Sequence, residues 1–185
     1  MKGDTLALKP KEKQELTFTD LGGRYYRLGV VGDGSCFFHS LCAALNYKDY
    51  NSMSEKEQRA MIQGFRCGFS VEFKNDKDDF CSVSHWADKN LIEKVSKYLN
   101  INILFVNLEN NKPYCGVHGK ETIAGIQEKN EFSQPTIVIM WVNQNTHFEP
   151  LITIEDNEIK GLFDPKNSKD ITFIKRIVHF YLNNC

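Results

Sequence analysis

The run Gly32-Asp33-Gly34-Ser35-Cys36-Phe37-Phe38-His39-Ser40-Leu41 constrains this chain more than any other stretch. Val30-Val31 lead into a glycine-rich turn, and beyond it Phe37/Phe38, Leu41/Cys42 and Leu45 recur at helical spacing. The pattern reads as an extended segment, a tight turn and an amphipathic helix, with a cysteine where the helix begins. There the backbone N–H groups lack intrahelical partners and the helix dipole is positive. Both favour thiolate, the nucleophilic form of cysteine. The run predicts a cysteine nucleophile, and the rest of the chain must supply its base.

The length, 185 residues, suits one domain with a sizeable core. Lys and Arg number 23 against 24 Asp and Glu, a net charge of −1 that gives no reason to expect nucleic acid or an anionic membrane as partner. No apolar run reaches membrane-spanning length, and Met1 to Asp20 is charged, without the apolar centre of a signal peptide. A cytoplasmic location is the expectation. The six cysteines (Cys36, Cys42, Cys67, Cys81, Cys115, Cys185) then read as reduced thiols, not as a disulfide framework. Cys42 falls on the apolar face of the first helix, as a small core residue.

Residues 1–20 are rich in Lys, Glu and Thr without a sustained period, and read as an N-terminal arm ahead of a catalytic domain spanning 21–185. Tyr25 to Val31 is extended, and the first helix runs from Cys36 to about Asn46. Ser54 to Phe73 is helical, with Ser54 and Glu57 forming a capping box and Met61, Ile62, Phe65 and Phe69 an apolar stripe. After an acidic turn at Asn75–Asp79, Ser84 opens a further helix with Trp86, Leu91, Val95, Tyr98 and Leu99 inward, ended by Asn100. Ile101 to Val106 is a buried strand, and Tyr114 to Val117 its return across a hairpin-like turn. Pro135 to Val142 is the strongest strand signal; a turn at Asn143–Thr146 leads to His147-Phe-Glu-Pro-Leu-Ile152 as its neighbour. Asp164-Pro165 breaks the chain before a closing amphipathic helix through Ile171, Ile174, Ile177 and Tyr181. The order predicts an α+β fold: a single domain with a small, mostly antiparallel sheet flanked by helices.

A cysteine nucleophile needs a base, and the base needs an acceptor on its second nitrogen. Of five histidines, His147 has the best setting: a tight polar turn off a core strand holds its imidazole at the edge of a cleft. Glu149, two residues on, leaves the same face of an extended strand and can accept from the second N–H; Asn143 and Asn145 can do the same. His39, three residues after Cys36, ranks below it, because a base there lies beside the thiol and leaves little room for a scissile bond.

Asp33-Gly-Ser-Cys36-Phe-Phe, followed about a hundred residues later by His147-Phe148 after an apolar strand, resembles the ovarian tumour (OTU) family of cysteine deubiquitinases. Trp86-Ala-Asp-Lys with its helix and the strand 101–106 resembles the middle segment of that fold. Three blocks in the family order cover roughly Tyr25 to Leu151, and the compact spacing is similar to OTU proteins of viruses or intracellular bacteria, which would act in host cytoplasm. The resemblance implies Cys36 as nucleophile, His147 as base, and Asp33 in a loop (Gly32, Asp33, Gly34, Ser35, Cys36) whose amides hold the oxyanion. Its third catalytic position, usually Asp or Asn, is Glu149 here, with Asn145 and Asn143 as alternatives. It also implies an OTU-like cysteine protease domain cleaving after the C-terminal glycine of ubiquitin, with ubiquitin and polyubiquitin chains as partners and ubiquitin-like modifiers as a further class. A second reading is a ubiquitin-binding protein on this fold with weak or absent chemistry.

Basic residues before the Gly-Gly end of such a substrate call for carboxylates and an apolar platform. The candidates are Glu72, Asp76, Asp78 and Asp79, with Trp141 and Phe148 beside the catalytic turn. Cys81-x3-His85 and Cys115-x2-His118 have ligand-like spacings, but nothing in the sequence brings the two pairs together, so no metal and no cofactor are expected. A phosphate-binding reading of the glycine turn fails on two counts: no Gly-Lys-Ser/Thr follows, and Asp33 repels phosphate. A monomer acting on ubiquitin is the resulting expectation.

Overall fold

The computed structural model describes residues 6–16, 24–73, 80–83, 87–107, 115–118, 132–142 and 146–182. Eight strands form one sheet: β1 (Lys13–Leu16), β2 (Tyr25–Leu28), β3 (Asn102–Asn107), β4 (Cys115–His118), β5 (Thr136–Val142), β6 (His147–Glu155), β7 (Glu158–Lys160) and β8 (Leu162–Phe163). Their order is β1-β2-β6-β5-β3-β4, with β7 on β6 and β8 on β5. Every pairing is antiparallel except β3 with β5. The described residues also hold four α-helices, α1 (Cys36–Leu45), α2 (Glu55–Glu72), α3 (Lys89–Leu99) and α4 (Ser168–Leu182), and a short 3-10 helix, Tyr47–Ser52. The fold is α+β with a mostly antiparallel sheet between helices, as the pattern predicts. None of these helices is long and apolar enough to cross a membrane.

Alternation along the central strands separates two cores. Ile103, Phe105, Ile137, Ile139, Phe148 and Ile152 face α1, α2 and α3. Leu104, Val106, Val138, Met140, Val142 and Leu151 face Phe173, Ile174, Ile177 and Val178 of α4. Both faces of β5 are therefore buried, which is why residues 135–142 read as an unbroken apolar run.

The helix boundaries follow local chemistry. The expected capping box is present: Ser54 Oγ accepts from the Glu57 N–H, and the Glu57 carboxylate accepts from the Ser54 N–H. Asp88 caps α3 by accepting from the Leu91 N–H at 2.8 Å, and Asn100 ends it in the left-handed region at φ 55°. The helix therefore opens at Lys89 and not at Ser84, because Asp88 is extended and caps it; Ser84, His85 and Trp86 lie outside the described residues, as does the acidic turn with Asp76, Asp78 and Asp79. Tyr98 is 56% exposed, a correction to its expected inward position. Its ring instead covers the edge of the aromatic cluster, 5.2 Å from Phe69 and 6.1 Å from Phe73.

Two features depart from the sequence reading. Lys13–Leu16, inside the predicted arm, is a strand paired with β2. A four-residue edge strand is too short to show a period. The second departure is a disulfide between Cys67 and Cys81, where reduced thiols are expected. Its cause is the neighbouring Arg66, buried on α2, which donates to the carbonyls of Phe80 and Ser82 on either side of Cys81. That grip brings the two cysteine Cα atoms to 4.2 Å.

Phe38, on α1, is fully buried, with Phe65 edge-on at 6.1 Å and the Arg66 guanidinium over its ring at 5.2 Å. Phe38→Ala should cost about 3–5 kcal/mol of stability. Urea unfolding of the variant checks this, with the midpoint lowered and the slope unchanged.

Candidate active site

Cys36 is the first residue of α1, and His147 the first residue of β6. Both line one cavity of about 330 Å³, together with Gly32, Gly34, Val30 and Thr146. Ser40, one helical turn beyond Cys36, sets this juxtaposition: its buried Oγ donates to the Phe148 carbonyl at 2.9 Å, tying the nucleophile's helix to the histidine's strand. Phe148 contributes a second contact, since its backbone N–H lies on the Cys36 thiol and favours the thiolate.

The N-terminus of α1 is open to an anion. Ser35 occupies the cap position without a side-chain hydrogen bond to the helix, and the first turn has no acidic residue. The N–H groups of Cys36 and Phe37 act on the thiol in the same sense as that of Phe148. Burial nevertheless outweighs them and pushes the Cys36 thiol up. It pushes the His147 imidazole down, with His39 and Arg27 adding to the effect. A raised thiol beside a lowered imidazole leaves both neutral at rest. The helix terminus alone predicts thiolate; desolvation of the closed cavity reverses that expectation.

The turn from Gly32 to Ser35 is braced from behind. Asp33 turns its carboxylate away from the cavity, where Oδ1 accepts from the Ser35 N–H at 3.1 Å and Oδ2 from Arg59 Nη1 at 2.8 Å. His39 Nε2 lies 3.2 Å from the same carboxylate, and His39 Nδ1 lies 2.5 Å from the Tyr50 hydroxyl. A carboxylate only accepts, so the neutral imidazole carries its proton on Nε2 and accepts from Tyr50 on Nδ1. Both nitrogens of His39 are thus engaged at a fully buried site, which leaves none to serve as base. His39, Tyr50 and Arg59 act through Asp33 as positioning residues. The Ser35 N–H, spent on Asp33, is withdrawn from the set of oxyanion donors expected over 32–36, while its hydroxyl accepts from Arg66 Nη1 at 3.1 Å. Gly34 has φ +81°, and a Cβ there would meet the Val83 carbonyl oxygen at 2.9 Å. Gly32 takes no such conformation, and a Cβ there would make ordinary contact with His147, 3.6 Å from Cε1.

Behind His147 the expected hydrogen bond from its ring N–H to Glu149 is absent. Glu149 is fully buried on the same face of β6, with its side chain committed elsewhere. Its Oε1 accepts from the Leu8 N–H at 2.6 Å, and its Oε2 lies 3.3 Å from Arg27 Nε. His147 Nε2 and Glu149 Oε2 are both buried with no hydrogen-bond partner. An unsatisfied buried polar group costs about 1–3 kcal/mol. Burial pushes the Glu149 carboxyl up, against the Leu8 N–H and Arg27. The alternatives, Asn143 and Asn145, lie outside the described residues.

The remaining candidates are dispersed. Glu72 ends α2 in solvent and does not line the cavity. Trp141 and Phe148 pack together at 5.7 Å and on Phe105, so both belong to the core around α1. Of the zinc-spacing residues, Cys81 is held in the disulfide with Cys67. No group of metal-ligating side chains is found among the described residues. Ser40, Arg27 and Leu8 escaped sequence reasoning because their partners lie 108 to 141 residues away, or across the sheet, with no local signature.

No family model matches the chain, and no curated protein does. Solved structures are similar to it. An OTU domain in complex with ubiquitin has a TM-score of 0.48 at 16% identity, over 96% of this chain and 95% of that one. The OTU domain of OTUD1 has a TM-score of 0.46 at 16% identity, over 69% and 85%. The Hazara virus OTU bound to ubiquitin has a TM-score of 0.44 at 14% identity, over 76% and 86%. These are OTU domains, the family that the sequence blocks resemble. At such identities and scores, the chain's own geometry must carry its chemistry.

A neutral, buried thiol should resist modification until it ionises. Alkylation of Cys36 by iodoacetamide, followed by mass spectrometry of its peptide, should rise with pH through an apparent pKa above that of an ordinary free thiol. A plateau already reached at neutral pH would contradict this balance.

Proposed function

We propose that this protein is an OTU-type cysteine isopeptidase that hydrolyses the bond between the C-terminal glycine of ubiquitin and a lysine amine. One observation carries the reading: an uncapped helix N-terminus presents Cys36 to the cavity that His147 shares, and among the described residues no other cysteine or histidine lines it. Polyubiquitin is the natural form of such a substrate, and ubiquitin-like modifiers with the same Gly-Gly end are chemically equivalent at the scissile bond. No cofactor is required, and a monomer suffices.

The steps follow from the groups present. His147 takes the Cys36 proton, and the thiolate adds to the glycine carbonyl. Backbone N–H groups of the Gly32–Cys36 turn, Ser35 excepted, bind the oxyanion, an interaction worth about 3–4 kcal/mol per donor in other enzymes. The imidazolium then protonates the departing lysine amine, leaving a thioester on Cys36. Water, deprotonated by His147, attacks the thioester and releases the ubiquitin carboxylate and the thiol. Because the thiol is raised and the imidazole lowered at rest, the ion pair forms at a cost that substrate binding must offset.

The neutral pair also supports a second reading, a ubiquitin-binding protein with weak chemistry. Ubiquitin carrying a C-terminal electrophile separates the two. The isopeptidase reading expects a covalent adduct of one ubiquitin per chain, abolished by Cys36→Ala and lowered at least a hundredfold in rate by His147→Ala. Tight, non-covalent binding without an adduct favours the second reading, and an adduct that survives Cys36→Ala overturns both assignments.

A further inference from the structure

Residues 6–10 belong to the same cavity. Ala7, Leu8 and Pro10 line it together with Cys36 and His147, although they precede the first strand and look dispensable in the sequence. Three contacts hold them there. The Leu8 N–H donates to Glu149 Oε1 at 2.6 Å. Arg27, buried on β2, donates from Nη2 to the Leu6 carbonyl at 3.0 Å while its Nε faces Glu149 at 3.3 Å. The turn from Lys9 to Glu12 folds onto Gly29 so closely that a Cβ there would lie 2.0 Å from the Lys9 carbonyl oxygen.

The segment and the histidine draw on the same carboxylate. Glu149 stands two residues from His147 on one face of β6, about 6.6 Å along the strand, within reach of a glutamate side chain. While Leu8 and Arg27 hold Glu149, His147 Nε2 and Glu149 Oε2 are both buried without hydrogen-bond partners. The Cε1–Nδ1 edge of the ring faces the Gly32 turn, so Nε2 is the nitrogen left for an orienting acceptor. His147 Nε2, buried without an acceptor, and a Glu149 carboxylate two residues on that is turned to Leu8 and Arg27 describe a site held short of its paired state.

We propose that residues 6–10 are an autoinhibitory strap: docked, they wall the cavity and hold Glu149 away from His147; released, they free Glu149 to orient the imidazole. The inference rests on the isopeptidase reading only for what the strap regulates, not for the contact itself. Release exchanges the Leu8–Glu149 hydrogen bond for one between Glu149 and His147, and opens the cavity along the Ala7–Pro10 side. An occupant extended over this wall would displace the strap.

Two full-length variants release the strap without touching Cys36, His147 or Glu149. Leu8→Pro removes the N–H that Glu149 accepts, and Gly29→Ala drives the Lys9 carbonyl off β2. Leu8→Ala keeps the N–H and serves as the control. Imidazole NMR reads the His147 pKa, which should rise by about one unit in both release variants and stay at the wild-type value in Leu8→Ala. Cys36 alkylation at neutral pH, and adduct formation with electrophilic ubiquitin, should each quicken about tenfold, the kinetic counterpart of that unit. Unchanged His147 titration in Leu8→Pro, or slower alkylation in a folded variant, overturns the strap. If alkylation and titration respond but ubiquitin never forms an adduct, the strap stands and the ubiquitin reading falls. If ubiquitin reacts equally with all four proteins, the strap falls and the ubiquitin reading stands.

Discussion

A buried hydrogen bond from Ser40 Oγ to the Phe148 carbonyl joins the two halves of the site. Cys36 rides on α1 and His147 on β6, and these elements come from opposite ends of the domain in sequence. Helix and strand also touch through apolar side chains, but Phe37 and Phe148 meet without directional preference strong enough to fix a register. The hydroxyl supplies that register. It fixes α1 along its axis, so that one turn earlier the thiol arrives at the peptide between His147 and Phe148. The sheet order serves the same end. β6 lies between β2 and β5: His147 pairs with Val142 of β5, and β2 joins the strand further on, at Leu151 and Ile152.

Behind this junction, burial sets the chemistry. The cavity is small and closed on one side by the chain's own first described residues, so both reactive groups lose hydration. Desolvation then raises the thiol and lowers the imidazole more than the helix terminus can compensate. The buried Arg27–Glu149 pair is the counterpart on the far side of His147. A pair of this kind adds little net stability, but loss of one partner leaves a costly buried charge, so it serves to hold geometry. The catalytic turn is held by similar means, with Asp33 between His39, Arg59 and its own backbone. The turn that carries Cys36 is thus braced by hydrogen bonds on its own side, whereas His147 Nε2 has no hydrogen-bond partner.

Much of this was legible in the sequence where local chemistry decides structure. The glycine turn, the start of α1, the Ser54–Glu57 capping box, the Asn100 stop and the buried run of β5 each declare themselves within a few residues. The places of Cys36 at the start of α1 and of His147 at the start of β6 were legible for the same reason: each opens an apolar element. What stayed hidden depends on contacts across the fold. Glu149 sits at the expected spacing from His147, yet its partners are an amide 141 residues earlier and an arginine on the neighbouring strand. Lys13–Leu16 lacks a pattern because an edge strand with three exposed residues has no apolar face to show. The Cys67–Cys81 bridge followed from the grip of Arg66 on two carbonyls, which no cysteine spacing reports.

The central claim is that Cys36 and His147 face each other as one reactive pair across the cavity. Dibromoacetone tests it directly, because its short arm joins a thiol only to a nucleophile in contact with it. Digestion and mass spectrometry of the treated protein should yield the Cys36 peptide bridged to the His147 peptide, and not to that of His39. Alkylation of Cys36 with no bridge to His147, or with a bridge to another residue, would contradict the account.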